Sequence, residues 1–470
     1  MTELEPPSPE LLRLSPLADA RAAARVRRIE QHPSAPIWRW RAGDRIDGED
    51  LRAIAAFEAT LRSRREDLAH DPSDAPPERV IAWLRSMRDR VPIFRARIRE
   101  GIDLARSFSE IATSSREDLA LRPELLVPDD APLERMIVYR TAGTTGHALL
   151  VPHDARAASC YLPLVRVALE RWGVDAPCGA DEIGAFNVGA QRSTVTYACT
   201  LSAWGGTGFA KLNVSAGEWH RERDPVDFFA DLAPRLLTGD PISFAEAMRV
   251  GITSRPRALL TTAVAMSDAL RDRLRAHFGA PVIDWYSLTE TGPLAYACRD
   301  GRGHHVLSPD VHVEIVDEQG APMRDGERGE VTVTGGRNPF VPLLRYRTGD
   351  FARIERARCT CGDPTPRLCD LEGRAPVPLR ANDGALVNTV DVGRALRPFP
   401  LVQHALVQRA DRSIDLVVRA APGGVDARAI HDALVALFGD VGIEVRFDAA
   451  LGDRSEGKVL PYRSELPFDE

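Results

Sequence analysis

Lysine is almost missing from this chain: among 61 basic residues only Lys211 and Lys458 are lysines, and the rest are arginines. Each surviving lysine is therefore a candidate for a place where a compact ammonium does what a planar guanidinium does not. Long apolar runs are missing too, since nowhere do about 18 apolar residues follow one another. The first residues, MTELEPPSPELLRL, are acidic and proline-rich rather than built like a targeting signal. The expectation is a soluble, cytoplasmic protein with no membrane partner. Positive charge is not in excess: the net charge is −7, which argues against a dedicated nucleic-acid binder and requires any anionic ligand to be held locally. Seven cysteines, an odd and small number, exclude a secreted disulfide framework. Four of them, Cys298, Cys359, Cys361 and Cys369, nevertheless fall within one third of the chain, a clustering that hints at metal.

What is present is a globular composition, 44% hydrophobic and 27% charged over 470 residues, enough for one large core and a smaller domain. No repeat of fixed period and no low-complexity tract interrupts it. Residues 1 to about 130 carry helical periodicity. In PPERVIAWLRSMRDRV, Val80, Ile81, Leu84 and Met87 share a face, and Ser115 and Asp118 have capping-box spacing. From about 136 the pattern becomes short apolar runs ending in glycine-containing turns, alternating with helical stretches such as SDALRDRLRAHFG, which predicts a largely parallel α/β sheet. Residues 311–354 alternate strand-like runs with Gly-rich turns, suggesting an antiparallel subdomain. After LEGRAPVP, a hairpin around Asp411 and Arg412 is expected. A helix with Ile430, Leu434, Leu437 and Phe438 on one face and a strand IEVRF complete a small α+β domain. The expected division is a large domain over 1–374, with its helical lead-in, and a small one over 375–470.

Five short stretches carry chemistry. In YRTAGTTGHALLVPHD, three threonines and two glycines crowd into residues 141–146 after a strand. Backbone N–H groups and hydroxyls there suit phosphate oxygens, because glycine permits close approach; a turn without a ligand is the alternative. It is not a P-loop, because His147 and Ala148 stand where Lys-Ser/Thr is required. In DWYSLTETGPL, Tyr286 could stack on a base, Thr289 donate to a phosphate and Glu290 hold Mg²⁺ as a hard oxygen ligand; a strand end with a helix cap is the alternative. LLRYRTGDFARI puts Asp350 in a turn where a carboxylate could accept from two ribose hydroxyls. LEGR ends at Arg374, and RSEGKVLPYR places Lys458 behind a glycine.

In this order and spacing the five stretches resemble the acyl-adenylate-forming superfamily of acyl-CoA synthetases, peptide-synthetase adenylation domains and luciferases. The early RTAGTTG, the short helical lead-in and EVTVTGG…PLLRYRTGD are most similar to its phenylacetate–coenzyme A ligase branch. The resemblance covers about residues 105–465. It implies that Thr141, Gly143, Thr144, Thr145 and Gly146 close over the β- and γ-phosphates of ATP, that Tyr286 stacks on adenine and that Glu290 binds Mg²⁺. It further implies that Thr289 touches the α-phosphate, Asp350 the ribose, and Arg374 the ribose or phosphate near the hinge. Lys458, on a mobile small domain, would bridge the substrate carboxylate and the α-phosphate. The acyl pocket would use Phe186, Asn187, Gly189, Thr262 and Ala263. Two departures stand out. The loop ends with His147 where a Pro or Lys is usual, and Pro376 follows the Gly-Arg hinge, where its fixed φ stiffens the swing.

For metal, Cys359-Thr-Cys361-Gly lies in an Arg- and Gly-rich loop, and Cys298 with His304-His305 precedes it. Two such pairs could close a tetrahedral Zn²⁺ site. Some ligases similar to the phenylacetate branch carry one, with one Cys and one His from the first loop. The expected ligands are Cys298, His305, Cys359 and Cys361, with His304 as substitute and Cys369 outside. Four protein ligands leave no open position, so the metal would be structural; a set of packed thiols is the alternative. The functional expectation is ATP-dependent activation of an aromatic carboxylic acid as acyl-AMP, followed by transfer to coenzyme A. Transfer to a carrier protein or amine in trans is the nearest rival, and a nucleotide-binding regulator without catalysis is the more distant one. The acid, the acceptor and the oligomeric state, homodimer included, stay open.

Overall fold

The computed structural model describes residues 4–65, 76–140, 150–190, 194–263, 266–307, 309–373, 379–387, 389–451 and 460–466. The chain begins in helices, as the periodicity predicts. Helix Glu78–Arg88 buries Val80, Ile81, Leu84 and Met87, and Ser115 and Asp118 form the expected capping box at the start of helix Arg116–Leu121. Strands β1 (Met136–Arg140) and β2 (Leu150–Asp154) then pair antiparallel, Arg140 opposite Leu150.

The next twelve strands build one sheet. They are β3 (Ile183–Gly189), β4 (Tyr197–Leu201), β5 (Thr207–Asn213), β6 (Leu236–Gly239), β7 (Ala258–Thr261), β8 (Val282–Leu288), β9 (Gly292–Ala297), β10 (His304–Val306), β11 (Val311–Val316), β12 (Arg328–Gly335), β13 (Leu343–Glu355) and β14 (Arg367–Gly373). Their order is β11-β12-β13-β14-β10-β9-β8-β7-β6-β3-β5-β4. From β8 through β7, β6 and β3 to β5 every pairing is parallel, with β4 antiparallel at the edge. From β8 to β11 every pairing is antiparallel. The antiparallel strands read from residues 311–354 thus extend the parallel sheet instead of standing apart, and β8 is where its character changes. Ligands of open α/β sheets bind beyond the carboxyl ends of the strands, and the segment after β8 carries Thr289 and Glu290.

Alternation along β8 feeds separate cores, because successive side chains leave a strand on opposite faces. Tyr286 joins the core under the antiparallel half, while Ile283 and Trp285 join the one packed by helix Tyr161–Arg171. After β15 (Leu379–Arg380) and β16 (Leu386–Val387), the chain forms a four-stranded sheet from β17 (Leu401–Gln408), β18 (Ile414–Ala420), β19 (Ile443–Phe447) and β20 (Tyr462–Ser464). The hairpin turns with Arg412 at φ +71°. Helix Ala427–Phe438 buries Ile430, Leu434 and Phe438 against this sheet, with Leu437 only partly covered. The architecture is α/β, with a large sheet-centred unit and a small α+β unit. Val402 and Ala421 of the small unit pack into the core beneath helices Pro241–Val250 and Asp268–Phe278, and Ala269 N–H donates to Arg397 O at 3.4 Å.

Candidate active site

Near the end of β8 a side-chain hydrogen bond joins two strands. The Tyr286 phenol donates to Asp350 Oδ2 at 2.9 Å, joining β8 to β13. Burial and the neighbouring Asp350 charge push the Tyr286 hydroxyl well above its ordinary range, so it stays a donor. The turn expected at Asp350 is instead an irregular stretch of β13: the Asp350 N–H donates to Thr348 Oγ1, whose hydroxyl donates to Val331 O at 2.8 Å. Gly349, at φ +75°, donates its N–H to Glu330. Glu290 is 3% exposed. Its Oε1 accepts from the Tyr346 hydroxyl at 2.9 Å and lies 3.8 Å from the half-exposed Arg116 guanidinium. Thr289, half-buried, precedes it in the same turn.

Arg116 and Tyr346 are residues that spacing alone misses. Arg116 reaches Glu290 because Ser114 pairs with Tyr346 as an isolated parallel bridge, exchanging bonds with Arg345 O and Arg347 N–H. Arg345 sits at φ +44° and points a buried guanidinium at Glu314, Ser109 O, Ile111 O and Gly320 O. The only trace of these contacts in the sequence is Ser115, legible as a cap beside Arg116.

Thr141, Gly143, Thr144, Thr145, Gly146, Arg374 and Lys458 lie outside the described residues, as do His147 and Pro376. The expected acyl-pocket residues divide. Phe186 is fully buried, stacked on Phe228 at 5.5 Å and edge-on to Phe229 at 5.2 Å, so its ring is core and not pocket wall. Its strand neighbour Asn187 faces the other side and is half-buried. Gly189 ends β3, and a Cβ there would meet Leu212 O at 3.4 Å. Thr262 donates its N–H to Gly239 O, and Ala263 is exposed at φ +76°, a conformation costly for a residue with a Cβ. These last positions do gather at the carboxyl ends of β3, β6 and β7.

A second cluster sits at the far end of β9. The ligand atoms of Cys298, His305, Cys359 and Cys361 lie within 4.8 Å of one another. Cys298 Sγ is 3.6 Å from Cys359 Sγ, and Cys361 Sγ is 3.2 Å from His305 Nε2. The surroundings suit a cation held by thiolates. His305 Nδ1 lies 3.0 Å from Thr365 O, which leaves Nε2 for a ligand, and burial keeps the imidazole neutral by holding its pKa below the usual range. The N–H groups of Asp300 and Asp363 point at the Cys298 and Cys361 sulfurs, and Arg367 lies 3.7 Å from Cys359 Sγ. His304, one residue along β10, faces the opposite way and meets Asp284 Oδ2 at 3.2 Å. Cys369 instead approaches Arg302 O.

Comparison with known proteins agrees with this architecture. An AMP-binding enzyme family matches residues 136–338. Phenylacetate-coenzyme A ligase of Thermus thermophilus is 25% identical over 365 residues, 72% of this chain and 78% of that protein. The ligase of the same name from Aromatoleum evansii is 24% identical over 46% of this chain and half of its own length. Triostin synthetase I of Streptomyces triostinicus is 26% identical over 59% and 54%. Among solved structures, 2-hydroxyisobutyryl-CoA ligase in complex with 2-HIB-AMP shares the fold, with a TM-score of 0.61 and 16% identity over 82% of this chain and 89% of that one. Residues 136–338 thus match the AMP-binding enzyme family, and the chain shares its fold with a solved acyl-CoA ligase. By sequence it is similar to phenylacetate-coenzyme A ligases, at 24–25% identity over 46–72% of this chain.

Proposed function

We propose that this enzyme activates an aromatic carboxylic acid as its acyl-adenylate and then transfers the acyl group to coenzyme A. In the first step a carboxylate oxygen attacks the α-phosphorus of ATP and pyrophosphate leaves. In the second a thiolate attacks the acyl carbon and AMP leaves. A carboxylate is a poor electrophile until one oxygen becomes a good leaving group, and AMP supplies that group. The observation that carries the reading is the Tyr286–Asp350 hydrogen bond near the end of β8, beside the turn that holds Glu290. In this reading Tyr286 would lie against adenine, Glu290 would hold Mg²⁺ and Asp350 would accept from the ribose hydroxyls. Mg²⁺ at Glu290 would neutralise charge on the phosphates. Thr289 and residues 141–146 would hold phosphate oxygens, and Arg374 and Lys458 would act from the junction of the two units and from the small one. Residues 375–470 would be the lid that delivers Lys458.

Zn²⁺ at Cys298, His305, Cys359 and Cys361 is part of the reading, as a structural ion with a filled coordination shell. Its support is the three-sulfur, one-nitrogen donor set and the N–H groups facing the sulfurs.

ATP–pyrophosphate exchange across benzoate, hydroxybenzoate, aminobenzoate, phenylacetate and fatty acids tests the acid. Thiol consumption with coenzyme A tests the acceptor. Exchange only with fatty acids would overturn the aromatic assignment; exchange without thiol consumption would move the acceptor to a carrier protein or an amine.

A further inference from the structure

Arg337 and Asn338, adjacent residues between β12 and β13, reach three separate parts of the chain. Arg337 lays two nitrogens of its fork on Asp310, at 3.0 and 3.1 Å, and donates a third to the carbonyl of Thr291 at 3.0 Å. Asn338 donates through Nδ2 to Pro152 O at 2.8 Å and accepts from Phe340 N–H. Both side chains are buried. Thr291 is the residue after Glu290; Pro152 lies on β2, the strand that follows the hydroxyl–glycine stretch 141–146. One dipeptide therefore ties the Glu290 turn to β2.

A second tie runs alongside. Gly292 adopts φ +69°, and a Cβ on it would sit 2.3 Å from the Tyr161 ring, so the turn lies directly on that ring. The Tyr161 hydroxyl lies 3.1 Å from Nε2 of His153, the neighbour of Pro152 on β2. The Arg337 guanidinium lies over the Phe57 ring at 5.5 Å. Packing alone does not call for this arrangement, since a buried ion pair is often no more stabilising than apolar residues of the same volume. What a fork with fixed directions does supply is a set distance and angle between the groups that it joins.

We propose that Arg337 and Asn338 are positioning residues for adenylate formation: they hold the Glu290 turn in register with β2 and so fix the direction of the carboxylate that would hold Mg²⁺. The proposal rests on the role assigned to Glu290 above. Misplacement of a reacting group by about 1 Å costs on the order of 10²-fold in rate, so small shifts of this turn are read directly in the chemistry.

The test uses the full-length enzyme with Arg337→Gln, Arg337→Lys, Asn338→Asp and Tyr161→Phe. Asn338→Asp keeps the acceptor for Phe340 and removes the donor to Pro152. Expected for Arg337→Gln and Asn338→Asp is a fall of roughly 10- to 10²-fold in kcat of ATP–pyrophosphate exchange, with a raised Mg²⁺ requirement and unchanged KM for the acid. The double variant is no worse than the poorer single one, because both act on one relationship. Arg337→Lys recovers part of the loss, since it keeps the charge and loses the fork. Lower thermal stability with wild-type kcat and Mg²⁺ dependence would overturn the proposal and make the pair structural. If Arg337→Gln is insoluble, Asn338→Asp and Tyr161→Phe decide by the same readouts. If the wild-type enzyme exchanges pyrophosphate with no acid, the proposed function fails by itself. Calorimetric MgATP binding to wild type and Asn338→Asp then decides the positioning role, equal affinity or binding by neither overturning it.

Discussion

The Tyr286 hydroxyl and the Asp350 carboxylate meet at 2.9 Å, across strands that are distant in sequence. The contact makes one unit of a ring and an acceptor that sequence reading assigns to opposite ends of a nucleoside. It also sets a direction between them: the buried phenol donates and the carboxylate accepts.

Asp350→Ala is expected to weaken ATP far more than the acid. A buried charged acceptor contributes about 1.5 to 3 kcal/mol per hydrogen bond, read as a rise in KM for ATP. Tyr286→Phe, which keeps the ring, is expected to cost much less. Equal losses for ATP and acid in Asp350→Ala would make the carboxylate a strand tie only.

The purified protein is expected to hold about one zinc per chain, the number a single four-ligand site takes. Replacing Cys359 and Cys361 together with serine removes the metal and lowers thermal stability, while His304→Ala leaves both unchanged because His304 faces Asp284. Metal analysis of the three proteins settles this; full stability with no zinc in the wild type would sink it.

Lys458→Ala is expected to slow adenylate formation by about 10²-fold or more, by analogy with removing one preorganised oxyanion donor. Arginine is too wide and too strongly bidentate to replace it between two oxygens. Thioester formation from a supplied aryl adenylate should fall far less. Pyrophosphate release and thiol consumption measure the two steps separately, and an equal drop in both would reduce the residue to a structural role.

Stability should fall as the medium is acidified, partly through His312. Burial pushes this imidazole down to about 3, beside Arg356, Arg79 and Arg345, and its Nε2 has no hydrogen-bond partner among the described residues. In the unfolded chain the group binds a proton near pH 6.5. Between that value and about 3 the unfolded state therefore holds more protons than the folded one. The contribution of His312 is complete above pH 6.5 and is lost as pH falls toward its folded value. Thermal melts from pH 7.5 to 4.5 should show the loss, and His312→Phe should flatten it. An unchanged pH slope in that variant would remove His312 from the account.

Much of the architecture was legible because local periodicity carries it. The face of Val80, Ile81, Leu84 and Met87 is set by helical geometry over a few residues, and the turn at Arg412 by the short spacing of its flanking strands. The Phe186 pocket assignment failed for a local reason as well. Adjacent strand residues face opposite ways, so Phe186 and Asn187 do not line one cavity together, and the sequence does not say which face is hollow.

The sequence by itself determined the helical lead-in, the alternation of strands and helices, and the residue types of the site. These follow from side-chain chemistry and from periods of two and 3.6 residues. Only the tertiary structure decided that His305 and not His304 faces the cysteines, because one step along β10 reverses the side chain and both histidines are equally available in the sequence. Only it brought Arg116 to Glu290, and joined Thr291 to Pro152 through Arg337 and Asn338. Such contacts depend on strand register and on which elements pack face to face, and those are fixed by the summed burial of the whole sheet rather than by any stretch short enough to read alone.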